Sequence, residues 1–223
     1  MTHQRKSKKI IIYLFIFSTL VTINNLNLYN DLYTIKKLNI NGLNNQETKE
    51  IYNDLKTIKN KNIFFLEKKN ILKKIYSNKK IEKISIFRNY PSSLNIKIEK
   101  TKFLAVTKKS NNDYFIGTNK NLIKVDKETL DIPFIFGDVD LDSFFYLKKI
   151  IDSSNLKFNK IKNLYYFKSK RWDLVTKDGL IIKMPLNLTV EKLNLIYEII
   201  KKKEFKDKKI IDLRQFNMIV ING

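Results

Sequence analysis

The chain has 223 residues, a formal net charge of +22 and no cysteine. That length, with 43% hydrophobic residues, suits an anchor plus one or two small domains and excludes a disordered tail, a disulfide framework, a thiolate nucleophile and any Cys-ligated metal. The charge points to nucleic acid or an anionic surface, yet 40 of the 44 basic residues are lysine and only Arg5, Arg88, Arg171 and Arg214 are arginine, whereas phosphate and base-edge recognition favours the planar guanidinium.

Residues 1–9 carry Arg5, Lys6, Lys8 and Lys9 and no acid. From Ile10 to Leu28 no residue is charged. At a rise of about 1.5 Å per residue this run approaches the ~30 Å hydrocarbon core of a bilayer. The basic flank predicts a cytoplasmic tail over 1–9, a transmembrane anchor over 10–28 and the remainder outside. A signal peptide starts the same way, but its cleavage needs small residues. The exit Ile23-Asn24-Asn25-Leu26-Asn27-Leu28-Tyr29 has none, so an uncleaved anchor is expected.

In Thr34–Asn41, Ile35, Leu38 and Ile40 sit among polar residues and the run stops at Gly42, as in a strand and turn. Asn44, followed three residues later by Glu47, predicts an N-cap with a box partner. Ile51, Leu55 and Ile58 give the apolar stripe of a helix, and Ile71, Leu72, Ile75 and Tyr76 that of a second. Ile84 and Ile86 alternate before the turn Tyr90-Pro91-Ser92-Ser93, and Leu94, Ile96 and Ile98 alternate after it. The order is β-α-α-β-β, a helix pair over a three-stranded sheet.

Residues 106–223 are richer in strands, with two helices. Tyr114–Ile116 and Leu122–Val125 flank a polar run, a hairpin signal. Pro133 keeps the apolar run 132–137 out of a helix interior. Phe144, Leu147, Ile150 and Ile151 mark one helix, and Leu193, Ile196, Tyr197 and Ile200 the other. Trp172, Leu174 and Thr176 run up to Asp178-Gly179, after which Leu180, Ile182 and Met184 resume, predicting a second hairpin. Ile210–Arg214 and Met218–Ile221 close the chain as one bent strand or two short ones. The fold class is α+β: a single N-terminal transmembrane helix, a β-α-α-β-β domain over 34–105, and a mixed, β-rich domain over 106–223.

Catalytic chemistry is poorly provided for. The sole histidine is His3, in the basic tail, and no triad or metal set can form around it. There is no dinucleotide, P-loop or zincin motif. Carboxylates such as Glu47, Glu50, Glu99 and Asp212 sit in periodic elements and read as caps and solvated faces. No enzyme activity, cofactor or metal is expected.

The chain resembles the FtsQ/DivIB family of bacterial cell-division proteins. The resemblance rests on Ile81–Arg88 leading to Tyr90-Pro91-Ser92-Ser93-Leu94 and Ile96-Lys97-Ile98-Glu99, on Asp113–Ile123, and on Ile132-Pro133 with Gly137. It continues through Arg171-Trp172-Asp173-Leu174 with Asp178-Gly179 to Asp212-Leu213-Arg214. Departures are Glu99-Lys100 where the family has Glu-Arg, a missing proline near 102–105, and Asn119-Lys120-Asn121 in place of a turn glycine. The resemblance implies a membrane anchor, a POTRA domain and a β domain. It implies a non-catalytic inner-membrane scaffold of the divisome, at the septum, with its domains in the periplasm. Its implied partners are FtsB and FtsL homologues, bound by strand addition to the C-terminal edge of the β domain, alongside other division proteins.

The same resemblance points to Arg214, Gln215, Phe216, Met218 and Val220 as partner-binding residues, with Arg171 and Trp172 behind them. Arg214 would grip a partner carboxylate with both teeth of its guanidinium, and Phe216 would fill a pocket or belong to the core. Trp172, alternating in a hairpin, reads first as core. Two other functions stand beside this one: a POTRA-bearing periplasmic chaperone of an export system, and a basic nucleic-acid-binding protein.

Overall fold

The computed structural model describes residues 2–25, 32–125, 130–202, 209–215 and 218–222, with side chains in the N-terminal helix described only from Lys8 to Val21. Helix α1 covers Thr2–Asn25. Ile10, Tyr13, Phe15, Phe17 and Leu20 are among its exposed apolar side chains, so no single face is buried. The described apolar stretch Ile10–Val21 amounts to about 18 Å of helix, short of the ~30 Å of a hydrocarbon core. Among the described residues no helix is long and apolar enough to cross a membrane. The span expected over 10–28 is therefore not found among them, and 26–28 lie outside the described residues.

The chain divides into two compact units, 1–78 with 83–99, and 79–82 with 100–223. In the first, β1 (Lys37–Asn41), α2 (Asn45–Asp54), α3 (Lys68–Tyr76), β2 (Ile81–Asn89) and β3 (Ser93–Lys100) follow in the expected order. The sheet order is β1-β3-β2, with β1 parallel to β3. Asn44 caps α2: its side chain accepts from the Glu47 amide at 2.8 Å, and the Glu47 carboxylate accepts from the Asn44 amide at 3.2 Å, the reciprocal box that the spacing predicts. Gly42 has φ +99°, and a Cβ there would lie 1.8 Å from the Ile98 carbonyl oxygen, so only glycine fits this turn. Ile51, Leu55, Ile58, Ile71 and Ile75 from the helical side are buried, as are Leu94, Ile96 and Ile98 of β3.

Among the described residues the second unit is built on a nine-stranded sheet. Its strands are β4 (Phe103–Lys109), β5 (Asn112–Gly117), β6 (Leu122–Lys124), β7 (Phe134–Phe136), β8 (Ile161–Tyr166), β9 (Trp172–Thr176), β10 (Ile181–Lys183), β11 (Ile210–Asp212) and β12 (Val220–Asn222). They lie in the order β12-β11-β10-β9-β8-β7-β4-β5-β6. Position 105 falls inside β4. The end of the chain forms two short antiparallel strands, β11 and β12, rather than one bent one.

Three of the pairings are parallel, β4 with β7, β7 with β8 and β10 with β11, and a parallel link needs a crossover. Strands β5 and β6 lie within the first connection, and helices α4 (Leu141–Asp152) and α5 (Val190–Lys201) are the crossovers of the other two. Their buried residues Phe144, Leu147, Ile151, Leu193 and Ile196 share one core with Ile135, Leu164, Leu174, Ile182 and Ile211 of the sheet. Both helices therefore cover the same sheet face, the single-sided cover of an α+β fold.

Candidate functional site

Cross-strand register partners point to one face of a sheet, and the next rung along points to the other. Ile135, Leu164, Leu174, Ile182, Ile211 and Ile221 form one continuous rung from β7 to β12, on the helix-covered face. One residue along, the rung is Phe136, Tyr165, Asp173, Lys183, Asp212 and Val220, on the face opposite the helices. Its outer half is charged. Arg171 and Arg214 each lie two residues from an aspartate of that rung, and residues two apart in extended backbone face the same way.

The two arginines bind those aspartates unequally. Arg214 Nε donates to both carboxylate oxygens of Asp212, at 2.8 and 2.9 Å, and the Arg214 amide donates to Oδ1 at 3.0 Å. Arg171 Nε reaches Asp173 Oδ1 at 3.4 Å only, while its guanidinium lies 4.4 Å from the Phe167 ring centre. Asp173 also accepts the Met184 amide at 3.2 Å and is nearly buried, at 7% exposure. The outcome is two carboxyl groups displaced in opposite directions. Burial pushes the Asp173 carboxyl up, against the pull of the Arg171 charge, the Met184 amide, the Arg171 hydrogen bond and the Arg214 charge. The side-chain hydrogen bonds from Arg214 hold Asp212 below the usual carboxylate range, with partial burial opposing and the Arg214 amide and the Arg214 and Lys183 charges assisting. Asp212 in turn raises the pKa of Arg214. Three cations, Arg171, Lys183 and Arg214, stand against two carboxylates.

The structure narrows one reading from the sequence and decides between the two held for Trp172. The Arg214 guanidinium already spends its Nε–H and one Nη2–H on Asp212 of its own strand end, so a partner carboxylate would be met by its remaining Nη donors. Trp172 is not a contact residue. It is 7% exposed, its Nε1–H donates to Ser143 Oγ at 3.0 Å, and its ring lies 4.6 Å from Tyr166. It is core, because its rung faces α4.

The other sequence candidates fall as follows. Arg171 is half-buried, Gln215 is exposed, Met218 is 61% exposed and Val220 37%. Phe216 lies outside the described residues. Lys8 and Lys9 are exposed on α1. Arg5 and Lys6 fall within that helix, but their side chains lie outside the described set. Asp173, Lys183 and Asp212 are members of the charged rung that the sequence does not single out for partner binding. The local signal for two of them was available in the paired spacings Arg171-x-Asp173 and Asp212-x-Arg214, which place opposite charges on one strand face.

Strand β12 is the outermost strand at this end of the sheet. Its pairing with β11 uses one side of its backbone and, among the described residues, leaves the other as an open edge.

An α/β unit with a parallel β1–β3 pair, followed by an antiparallel-dominated sheet backed by two crossover helices, is the two-domain class of a POTRA domain joined to a β domain. Residues 33–100 match the POTRA domain of FtsQ type, and residues 105–214 match the C-terminal domain of the cell division protein FtsQ/DivIB. The chain belongs to the FtsQ/DivIB family of cell-division proteins. No curated protein matches it. Among solved structures, it is similar to the major extracytoplasmic domain of the trans isomer of the bacterial cell division protein DivIB from Geobacillus stearothermophilus. The identity is 14%, over 46% of this chain and 92% of that one, with a TM-score of 0.35.

Proposed function

We propose that the chain is a bitopic inner-membrane scaffold of the division machinery, without catalytic activity. Residues 1–9 lie in the cytoplasm, 10–28 anchor the chain, and the POTRA domain (34–105) and β domain (106–223) work in the periplasm at the septum. The β domain binds FtsB and FtsL homologues by strand addition. The family membership displaces the export-chaperone and nucleic-acid readings. For the anchor, the support is the uncharged run from Ile10 to Leu28 behind four cations, together with the helical backbone of Thr2–Asn25.

The observation that carries the binding reading is the open edge of β12, beside a rung with one cation more than its carboxylates. An open edge supplies main-chain hydrogen bonds to an extended partner, and flanking side chains select it. The cation excess favours a partner with an acidic segment. Arg171 and Arg214 attract it as charges already held by Asp173 and Asp212, at lower entropic cost than free side chains, with Lys183 between them in the rung.

The test is a pull-down of FtsB and FtsL homologues by the full chain and three variants. Truncation after Arg214 removes β12 and leaves the Arg214–Asp212 pair. Phe216→Ala removes the expected anchor. Val220→Asp places a repelling charge on the edge without shortening the chain. Truncation is expected to weaken capture by at least about tenfold, the scale of losing a strand's main-chain bonds, with smaller losses for the two substitutions. Wild-type capture by the truncated chain and by Val220→Asp, each with an unchanged circular dichroism spectrum, overturns the edge reading.

A further inference from the structure

At the point where the chain enters its first unit, three rings pack in a row, the first pair tilted and the second stacked. Tyr33 and Phe64 have ring centres 4.9 Å apart, and Phe64 and Tyr90 5.0 Å. The backbone explains the row. Thr34 bridges to Asn62, the Ile63 amide donates to the Tyr33 carbonyl at 2.8 Å, and the Lys36 amide donates to the Ser92 carbonyl at 2.8 Å beside the Tyr90 turn. The rings are not core. Phe64 is 49% exposed, Tyr90 55%, and the adjoining Phe65 and Leu32 84% and 53%.

The charge around them is predominantly basic. Segments 32–37, 61–66 and 88–92 carry Lys36, Lys37, Lys61 and Arg88 and no acid. Lys61 and Phe65 also line one surface groove with Lys73, Lys74 and a single carboxylate, Glu67. Aromatic rings ringed by lysine match the water–lipid boundary, where amphipathic rings sit at headgroup level and basic side chains meet anionic headgroups. Connectivity supplies the second argument. Six residues separate Asn25 at the end of α1 from Leu32, a tether that reaches no more than about 25 Å when fully extended.

We propose that the Leu32–Tyr33–Phe64–Phe65–Tyr90 patch is a docking surface for an anionic bilayer, seating the POTRA domain on the membrane that holds the anchor. This rests on the anchoring role of the N-terminal helix proposed above. Phe65 inserts furthest, being the most exposed ring, while Lys36 and Lys61 hold the headgroups.

The test uses the full chain reconstituted in phosphatidylethanolamine–phosphatidylglycerol vesicles with brominated acyl chains, which quench tryptophan emission at the bilayer. The native Trp172 is buried and supplies an unquenched background. Phe65→Trp is expected to be quenched by at least about twofold in these vesicles and distinctly less in brominated phosphatidylcholine, which lacks the anionic headgroup. Phe15→Trp, within the anchor, is expected to be quenched in both. Quenching of Phe15→Trp without Phe65→Trp overturns the patch and leaves the anchor standing. Quenching of neither overturns both. Equal quenching of Phe65→Trp in the two lipids overturns the anionic requirement.

Discussion

Asp173 and Asp212 occupy the same rung two strands apart, yet their contributions to stability carry opposite signs. The folded pKa of Asp212 is lowered, so its ion pair stabilises the fold above the ordinary carboxylate value of 3.8 and is lost as pH falls through the lowered folded value. Asp212→Asn should lower Tm at neutral pH, with the deficit closing as the medium is acidified. The folded pKa of Asp173 is raised. Its charged form therefore costs stability above that raised value, and the cost is gone below 3.8. Asp173→Asn keeps an oxygen for the Met184 amide and should raise Tm at neutral pH. Thermal melts of both variants across pH decide the matter, and shifts of the same sign at neutral pH would refute this assignment. A backbone constraint acts at Gly137, whose φ is +101° and whose added Cβ would lie 2.1 Å from the Tyr166 carbonyl oxygen. Gly137→Ala should destabilise by about 1–3 kcal/mol in urea unfolding, the cost of a strained side-chain-bearing residue there.

At the scale of elements, the capping box of α2 is the clearest local device. Asn44→Ala should cost about 1 kcal/mol in chemical denaturation, because the Glu47 amide loses its acceptor. Such devices are legible in a sequence because donor, acceptor and stripe lie within one turn. Other elements were harder to see. Strand β4 lies between β7 and β5 and reads as a run, Phe103-Leu104-Ala105-Val106, without the clean alternation of a half-exposed strand. Strand β8 shifts register between Ile161 and Asn163, so its buried residues Ile161 and Leu164 fall three apart and the period of two is broken. The stripe Ile51, Leu55, Ile58 does not make one helix. Helix α2 ends at Asp54, and a 3-10 turn over Lys56–Ile58 buries Ile58 by its own i, i+3 spacing. In the candidate site, Arg171 and Arg214 were legible from spacing and resemblance. The line from Asp173 through Lys183 to Asp212 was not, because it exists only once three strands are in register.

At the scale of the whole molecule, the +22 charge divides by place. Four cations precede the apolar run of α1, where, on the proposed topology, charge bias would set orientation. The rest is mostly lysine, which keeps the units soluble and does not enter the orientation rule in long domains. A reporter fused at Gly223 should therefore be active outside the cytoplasm. Activity inside it would reverse the proposed topology.

The strand order also has a temporal side. From β7 to β12, each strand lies beside the one made just before it, and β7 itself lies beside β4. A chain delivered from its N-terminus can lay down this half of the sheet one strand at a time, with every arrival finding its neighbour already in place. Growth proceeds in a single direction and, among the described residues, reaches β12 last. A strand from another protein seated there would be the next increment of the same process, supplied in trans.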